Sequence, residues 1–294
     1  MTASPPSRGR VVITGASSGI GRATALHLNA LGYAVSAGVR KAADGERLQA
    51  AAAAPERLDP LILDVTDAEQ VAAARAEVAA RCGPSGLQAL FSNAGIAPFT
   101  GDVSCEGCPI ETQQRVMDVN HFGAVRVIQA FLPLLRQARG TVVVNTALMA
   151  HTVLPFNGGY GASKAALESW CDALRREVRP HGVRVAMIEA GFIASELAGK
   201  QHAEQVPAGG LYPGQRAMAE QFGRAEERFG SRPGASPERF AERVAEAIAS
   251  PHPRPRRTVG LGAGPIWLVG ALPDRAQDAV FGRLLARLAR QSTR

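Results

Sequence analysis

A short apolar run that enters a glycine-rich turn constrains the fold of this 294-residue chain most strongly. Residues 11–14, VVIT, are typical of a buried strand, and the turn Gly15-Ala16-Ser17-Ser18-Gly19-Ile20-Gly21 follows directly. Residues 20–31 then carry apolar side chains at helical spacing and stop before Gly32. A strand joined to a helix by such a turn opens a βαβ unit, so the sequence predicts a parallel sheet covered by helices.

The rest of the chain repeats this alternation without a linker or an internal repeat. Apolar runs at 34–39, 61–64, 87–92, 141–145, 183–188 and 258–261 predict six further strands. Helical patterns run from a capping box at Thr66 and Glu69 to residue 81, and over 112–135, 158–179, 236–249 and 273–290. We therefore expect an α/β fold: one Rossmann-like, doubly wound parallel sheet over 1–294, with helices on both faces.

Two C-terminal segments invite functional interpretations. Residues 195–235 are polar, glycine-rich and without strand periodicity, and we interpret them as a substrate lid. Residues 273–290 predict an amphipathic helix that packs on its own domain, covers the substrate entrance or touches a membrane.

Composition excludes several classes of protein. The net charge is +7, but the 33 basic residues are spread along the chain and lack aromatic interleaving, which argues against nucleic-acid binding. No secretory leader opens the chain and no apolar run reaches the ~18 residues of a membrane span, so we expect a cytoplasmic protein. Four cysteines are too few for a disulfide scaffold, and Cys105-x-x-Cys108 lacks the second ligand pair of a zinc site, so no metal is expected.

The glycine turn and the end of the second strand predict a dinucleotide site. Backbone N–H groups at the start of a helix bind a pyrophosphate when glycines let it approach. After the second strand the sequence is Val39-Arg40-Lys41, with two cations where an acid would hold ribose hydroxyls. Such cations attract a 2′-phosphate, which favours NADP(H) over NAD(H); a solvated loop that tolerates either cofactor is the alternative.

Tyr160 and Lys164 lie four residues apart on a predicted helix and so share one face. A cation near a phenol stabilises the phenolate and lowers its pKa from about 10 toward neutrality. This spacing suits proton exchange with a substrate oxygen.

Together these motifs resemble the short-chain dehydrogenase/reductase family and, more loosely, its retinol and hydroxysteroid dehydrogenase branch. The matching motifs are TGASSGIG at 14–21, Asp64-Val65, Asn93-Ala94-Gly95, Asn120, Tyr160-x-x-x-Lys164 and a degenerate Gly191 to Ser195. The resemblance implies cofactor contacts from Gly15, Ser17, Ser18, Gly19, Ile20, Gly21, Asp64, Val65, Asn93, Ala94, Gly95, Ile193 and Ser195. It also implies that Lys164 binds the nicotinamide ribose, that Asn120 holds a water in a proton relay, and that the protein is a homodimer or homotetramer.

One position departs from the family pattern. The carbonyl-orienting serine normally lies thirteen residues before the catalytic tyrosine, where this chain has Ala147. Thr146 could replace it; His151 or the substrate could supply the donor; the chemistry could be non-redox; or Ala147 could be an engineered, inactivating substitution. His121 is a further candidate donor beside Asn120.

The sequence thus predicts an NADP-dependent oxidoreductase that interconverts a ketone and a secondary alcohol on a small lipophilic or secondary-metabolite substrate. The alternatives are an isomerase- or cyclase-like enzyme, a regulatory cofactor-binding protein of the same fold, or an engineered inactive variant.

Overall fold

The computed structural model describes residues 8–97, 102–193, 212, 215–216, 218, 220, 235–260 and 263–292. Seven strands form one parallel sheet in the order β3-β2-β1-β4-β5-β6-β7. They are β1 (Arg10–Ile13), β2 (Ala34–Val39), β3 (Leu58–Ile62), β4 (Ala89–Ser92), β5 (Thr141–Ala147), β6 (Arg184–Ala190) and β7 (Arg256–Val259). The parallel sheet predicted from the sequence is confirmed.

Helices cover both faces of the sheet. They are α1 (Gly19–Ala30), α2 (Ala42–Ala50), α3 (Ala68–Cys82), α4 (Ile110–Met117), α5 (Ala124–Ala138), α6 (Gly158–Val178), α7 (Pro237–Ala249), α8 (Ala263–Gly270) and α9 (Asp274–Ser292). Apolar residues of α3, α5 and α6 form one core with the sheet, and those of α1, α2 and α7 form a second core on the opposite face. None of the helices in the described part of the chain combines the length and apolar character needed to cross a membrane.

The chain reverses its direction of winding between β1 and β4. These strands are neighbours, with Ile13 in register with Phe91, although two strands of the chain separate them. Connections leave their carboxyl ends toward opposite sides of the sheet, which opens a crevice there. The glycine turn after β1 lies at this crevice.

Several predicted boundaries were wrong, each for a local reason. Strand β3 begins before residue 61 and contains Pro60, which an edge strand tolerates because one side needs no ladder hydrogen bonds. Helix α3 is capped by Asp67, which accepts hydrogen bonds from the N–H groups of Glu69 and Gln70. Thr66 instead binds Asp64. Helices α2 and α8 were not predicted, and β7 begins at Arg256 instead of residue 258.

The helix predicted over 112–135 is interrupted. A π-helical turn, Asp118–Gly123, separates α4 from α5, and Pro133 lies inside α5. A Cβ on Gly123 would lie 2.6 Å from Cγ2 of Val65, so glycine lets this turn pack against the loop after β3. The turn buries Asn120 completely.

Of the two C-terminal predictions, the structure describes the helix but not most of the lid. The amphipathic helix expected at 273–290 is present as α9. The hydroxyl of Thr152 donates to the Ile266 carbonyl oxygen at 3.1 Å, which ties α8 to the loop after β5. Most of the lid expected at 195–235 lies outside the described residues.

Candidate active site

A cavity of about 620 Å³ opens at the carboxyl ends of the central strands. Most residues expected at the cofactor line it: Gly15, Ser17, Ser18, Gly19, Ile20, Gly21, Arg40, Asp64, Val65, Asn93, Ala94, Gly95, Tyr160, Lys164 and Ile193. Lys41 does not line the cavity; it is exposed at the start of α2. Ser195 lies outside the described residues.

The glycine turn forms a cradle that side chains would fill. A Cβ on Gly21 would lie 2.1 Å from the Gly15 carbonyl oxygen, and Gly15 itself has a φ of +66° with Ala94 3.0 Å from the position of a Cβ. Ser18, the N-cap of α1, makes no side-chain capping hydrogen bond within the described structure, and the first turn of α1 holds no acid. The N–H groups at the start of α1 therefore suit an anion such as a pyrophosphate.

Asp64 and Arg40 lie at the far end of this cradle. Burial works to raise the pKa of Asp64, but hydrogen bonds from the Thr66 N–H and hydroxyl, with the charge of Arg40, lower it. Asp64 is thus a fixed acceptor held by Thr66. Arg40 remains a cation that lines the cavity.

Asn93 joins the three strands that border the cavity. Thr14 Oγ1 accepts hydrogen bonds from the N–H groups of Asn93 and Ala94, at 2.9 and 3.0 Å. The Asn93 amide donates to the Thr14 carbonyl oxygen at 3.0 Å and accepts from Nδ2 of Asn145 at 3.0 Å. These bonds fix the floor of the cavity across β1, β4 and β5.

Asn120, in the π-helical turn, makes three hydrogen bonds to the loop after β4 and to α6. Its Oδ1 accepts from the Ile96 N–H at 2.8 Å, and its Nδ2 donates to the Ile96 carbonyl oxygen at 2.9 Å and to Ser163 Oγ at 3.0 Å. Its amide therefore positions the loop after β4 against α6. A Cβ on Gly95 in that loop would lie 3.5 Å from Nζ of Lys164, so the loop passes beside the lysine.

Tyr160 and Lys164 share the cavity-lining face of α6. Nζ of Lys164 donates to the Asn145 carbonyl oxygen at 3.2 Å and lies 5.8 Å from the centre of the Tyr160 ring. Burial lowers the pKa of Lys164 to about 8 and raises the pKa of Tyr160 to about 12. The expected fall in the tyrosine pKa is therefore wrong for the protein groups alone, because desolvation of the phenolate outweighs a cation at this distance.

The structure separates the three residues proposed to face the substrate. Ala147 ends β5 and lines the cavity. Thr146 borders the cavity, but its buried hydroxyl approaches the Glu168 carboxylate without a hydrogen bond of normal geometry. His151 does not line the cavity, because Nε2 lies 3.1 Å from oxygens of both Glu168 and Glu189. His121 is also absent from the lining.

Two residues of this region escaped the sequence analysis. Asn157 lines the cavity just before α6, and its amide donates only a long 3.5 Å bond to the Pro155 carbonyl oxygen. Glu168 is buried one turn beyond Lys164. The recurrence of Tyr160, Lys164 and Glu168 at four-residue intervals was the signal that could have revealed Glu168.

His151, Glu168 and Glu189 are also of metal-ligand type, with ligand atoms within 4.8 Å of one another. The Arg256 guanidinium faces the same carboxylates, with Nε 3.1 Å from Oε2 of Glu168 and 3.7 Å from Oε1 of Glu189. The positive charge of Arg256 therefore offsets part of the negative charge of the two glutamates. All four cysteines are free thiols.

Comparison with known proteins identifies the family. A model of the short chain dehydrogenase family matches residues 10–206. Retinol dehydrogenase 5 of Mus musculus is 35% identical over 300 residues, which cover 97% of this chain and 91% of the relative.

Two solved structures of dehydrogenases are similar to this chain over most of its length. A short-chain dehydrogenase from Streptomyces avermitilis superposes with a TM-score of 0.76 at 26% identity, over 96% of this chain and 98% of the other. An alcohol dehydrogenase from Thermococcus sibiricus complexed with 5-hydroxy-NADP gives 0.67 at 25% identity, over 86% and 97%. The chain belongs to the short-chain dehydrogenase family and is an NAD(P)-dependent dehydrogenase/reductase of its retinol and hydroxysteroid branch.

Proposed function

We propose that this oxidoreductase uses NADP(H) to interconvert a ketone and a secondary alcohol on a small apolar substrate. The observation that carries the proposal is the placement of Tyr160 and Lys164 in the same cavity as the glycine cradle. The cavity therefore offers a proton donor for the substrate next to a helix start that suits the pyrophosphate of the cofactor. The similarity to a retinol dehydrogenase supports an apolar alcohol as the substrate class.

The cofactor choice rests on Arg40. Its cationic side chain lies on the cavity wall next to Asp64. The adjacent residue, Lys41, does not line the cavity. A guanidinium binds a phosphate through two hydrogen bonds, which favours the 2′-phosphate of NADP(H). The Thermococcus sibiricus relative complexed with 5-hydroxy-NADP is consistent with this choice.

The bound nicotinamide would supply or accept the hydride. In reduction, Tyr160 donates its proton to the substrate oxygen, and the Lys164 ammonium stabilises the phenolate that remains. The burial that raises the pKa of Tyr160 to about 12 keeps the phenol protonated and ready to donate. Asn120 keeps the loop at Gly95 and helix α6 in fixed relation, so that Lys164 retains its place beside the cofactor cradle.

A turnover assay tests this proposal. The purified chain is mixed with NADPH or NADH and a panel of apolar ketones and aldehydes, and loss of reduced-cofactor absorbance is followed. We expect NADPH to be oxidised faster than NADH, and Tyr160→Phe to slow the reaction by at least about 100-fold, because general acid catalysis contributes that much. Ser169→Ala, which removes a hydroxyl from an exposed position of α6, is the matched control for local disturbance.

Ala147 favours a second candidate, a cofactor-binding protein of this fold with non-redox or regulatory activity. The alanine removes a hydroxyl donor from the wall of the cavity where a substrate oxygen would develop charge. Tight NADPH binding with no oxidation of NADPH by any member of the panel would favour this second function and contradict the first.

A further inference from the structure

A charge cluster built around two buried glutamates lies between helix α6 and the sheet. Glu168 and Glu189 are each 3% exposed, and His151 lies between their carboxylates. Arg256 donates to Oε2 of Glu168 at 3.1 Å and forms two bonds to Asp172, at 3.2 and 2.8 Å. The cluster therefore joins α6 to β6, β7 and the loop after β5.

Strand register explains how these groups meet. Thr146, Glu189 and Thr258 are cross-strand partners on β5, β6 and β7, so their side chains lie on the same face of the sheet. The Thr258 hydroxyl donates to Oε2 of Glu189 at 3.0 Å. Helix α6 packs on this face and brings Glu168 to it.

Glu168 lies one helical turn from Lys164, and both side chains are buried. Residues four apart on a helix have Cβ atoms about 5–6 Å apart on one face, so the carboxylate is the nearest acid along the helix to the Lys164 amine. Burial lowers the pKa of Lys164, and the charge of Glu168 opposes that fall. An uncharged residue at 168 would remove the larger of the two contributions that oppose this fall, the smaller being that of Cys171.

Burial raises the pKa of Glu168 above its usual value, and the neighbouring Glu189 adds to the rise. Thr146, His151 and Arg256 oppose it, so these three neighbours favour the ionised carboxylate. Its titratable and charged neighbours are Lys164, Cys171 and Asp172 on α6, His151 after β5, Glu189 on β6 and Arg256 on β7. Oε1 of Glu168 has no hydrogen-bond partner within the described structure, so half of the carboxylate is uncommitted.

We propose that Glu168 is a positioning residue that keeps the amine of Lys164 in its charged ammonium form, through a carboxylate fixed by Arg256 and His151. The inference deepens the proposed function, in which the Lys164 charge stabilises the Tyr160 phenolate. It concerns a charge state that exists without turnover, so it stands or falls separately from the reaction.

The lysine content of the chain permits a direct test. Its only lysines are Lys41, Lys164 and Lys200, so protein made with ¹³Cε-labelled lysine gives three side-chain signals. Lys41→Arg and Lys200→Arg assign them. The pH midpoint of each signal is measured for the full chain and for Glu168→Gln, with Glu177→Gln on the exposed end of α6 as the matched control.

We expect Glu168→Gln to lower the Lys164 midpoint by about one to two pH units, because it removes one negative charge from the next turn of the same helix in a partly buried site. The Lys41 and Lys200 midpoints and the Glu177→Gln protein remain unchanged. A Lys164 midpoint that moves by less than about 0.3 unit overturns the proposal.

Glu168→Asp separates charge from packing and serves if the glutamine variant does not fold. Gln keeps the size of Glu and loses its charge, whereas Asp keeps the charge and loses a methylene. If charge acts, the Lys164 midpoint falls in the order Glu, Asp, Gln. If Asp disturbs the midpoint more than Gln does, the role of Glu168 is packing and the proposal is wrong.

Discussion

The Lys164 ammonium donates a hydrogen bond to the carbonyl oxygen of Asn145, so the one buried lysine of the described chain is anchored near the carboxyl end of strand β5. A single carbonyl only partly replaces the water that a free ammonium would bind. The lysine therefore carries a desolvation cost in the folded state, which its lowered pKa of about 8 records.

Because of this cost, the free energy of unfolding changes with pH in the alkaline range. Below pH 8 both the folded and unfolded chains hold the Lys164 proton, and the full cost of burial applies. Between about 8 and 10.5 the unfolded chain still binds a proton that the folded chain has released, so this group makes unfolding less favourable as pH rises. We expect Lys164→Met to remove this rise, which amounts to about 2 kcal/mol between pH 7 and 9.5.

Urea unfolding at several pH values measures the effect. Lys41→Met, at an exposed position, should keep the pH dependence of the parent protein. Equal pH dependence in the parent and in Lys164→Met would show that burial does not perturb Lys164.

A second prediction concerns Ala147. Because this residue lines the cavity at the end of β5, Ala147→Ser adds one hydroxyl donor where a substrate oxygen develops charge. We expect turnover to rise by up to about 100- to 1,000-fold while the NADPH dissociation constant stays nearly constant. Steady-state kinetics and a cofactor fluorescence titration measure the two quantities.

Thr146→Ala is the matched control for the Ala147 variant. The Thr146 hydroxyl lies toward Glu168, so its loss should change turnover little. A large loss in this control, with no gain from Ala147→Ser, would show that Thr146 has taken the serine role.

A third prediction separates the two cations after β2. Arg40 lines the cavity and Lys41 does not. Arg40→Ala should weaken NADPH binding by about 10- to 100-fold and NADH binding far less, because a charged hydrogen bond to the 2′-phosphate is lost. Lys41→Ala should leave both affinities close to those of the parent, and equal losses for both cofactors in Arg40→Ala would refute the role of Arg40.

A fourth prediction concerns assembly. A groove of about 430 Å³ runs between α5 and the end of α6, with Leu132, Pro133 and Val178 among its lining residues. We expect a homodimer or homotetramer that uses these helices, with a mass two or four times 30.8 kDa in light scattering. Leu132→Glu should reduce the mass and Ala50→Glu, on the other face of the sheet, should not; a monomeric parent at micromolar concentration contradicts the prediction.

The parts of the fold that depend on near neighbours were predictable from the sequence. The glycine cradle, the alternation of strands with helices and the shared face of Tyr160 and Lys164 follow from spacing along one or two elements. The orientation of His151 does not, because it depends on carboxylates from α6 and β6 that only the folded register brings beside the loop. The predicted fall in the Tyr160 pKa was wrong for a similar reason. The sequence shows which cation is near the phenol, but not how completely the fold excludes water from it.

The π-helical turn at Asp118–Gly123 has a consequence for how this chain tolerates change. A regular helix would fix the angular phase of α4 relative to α5, and the wide turn offsets that phase, so that Val116 and Phe131 can both be buried while Asn120 points inward. Deleting one residue of the turn would restore regular winding with α4 and α5 in nearly the same phase, but it would remove the bulge that brings Asn120 to Ile96 and Ser163. The site is thus encoded partly in the number of residues between two helices, a property that no single substitution can restore.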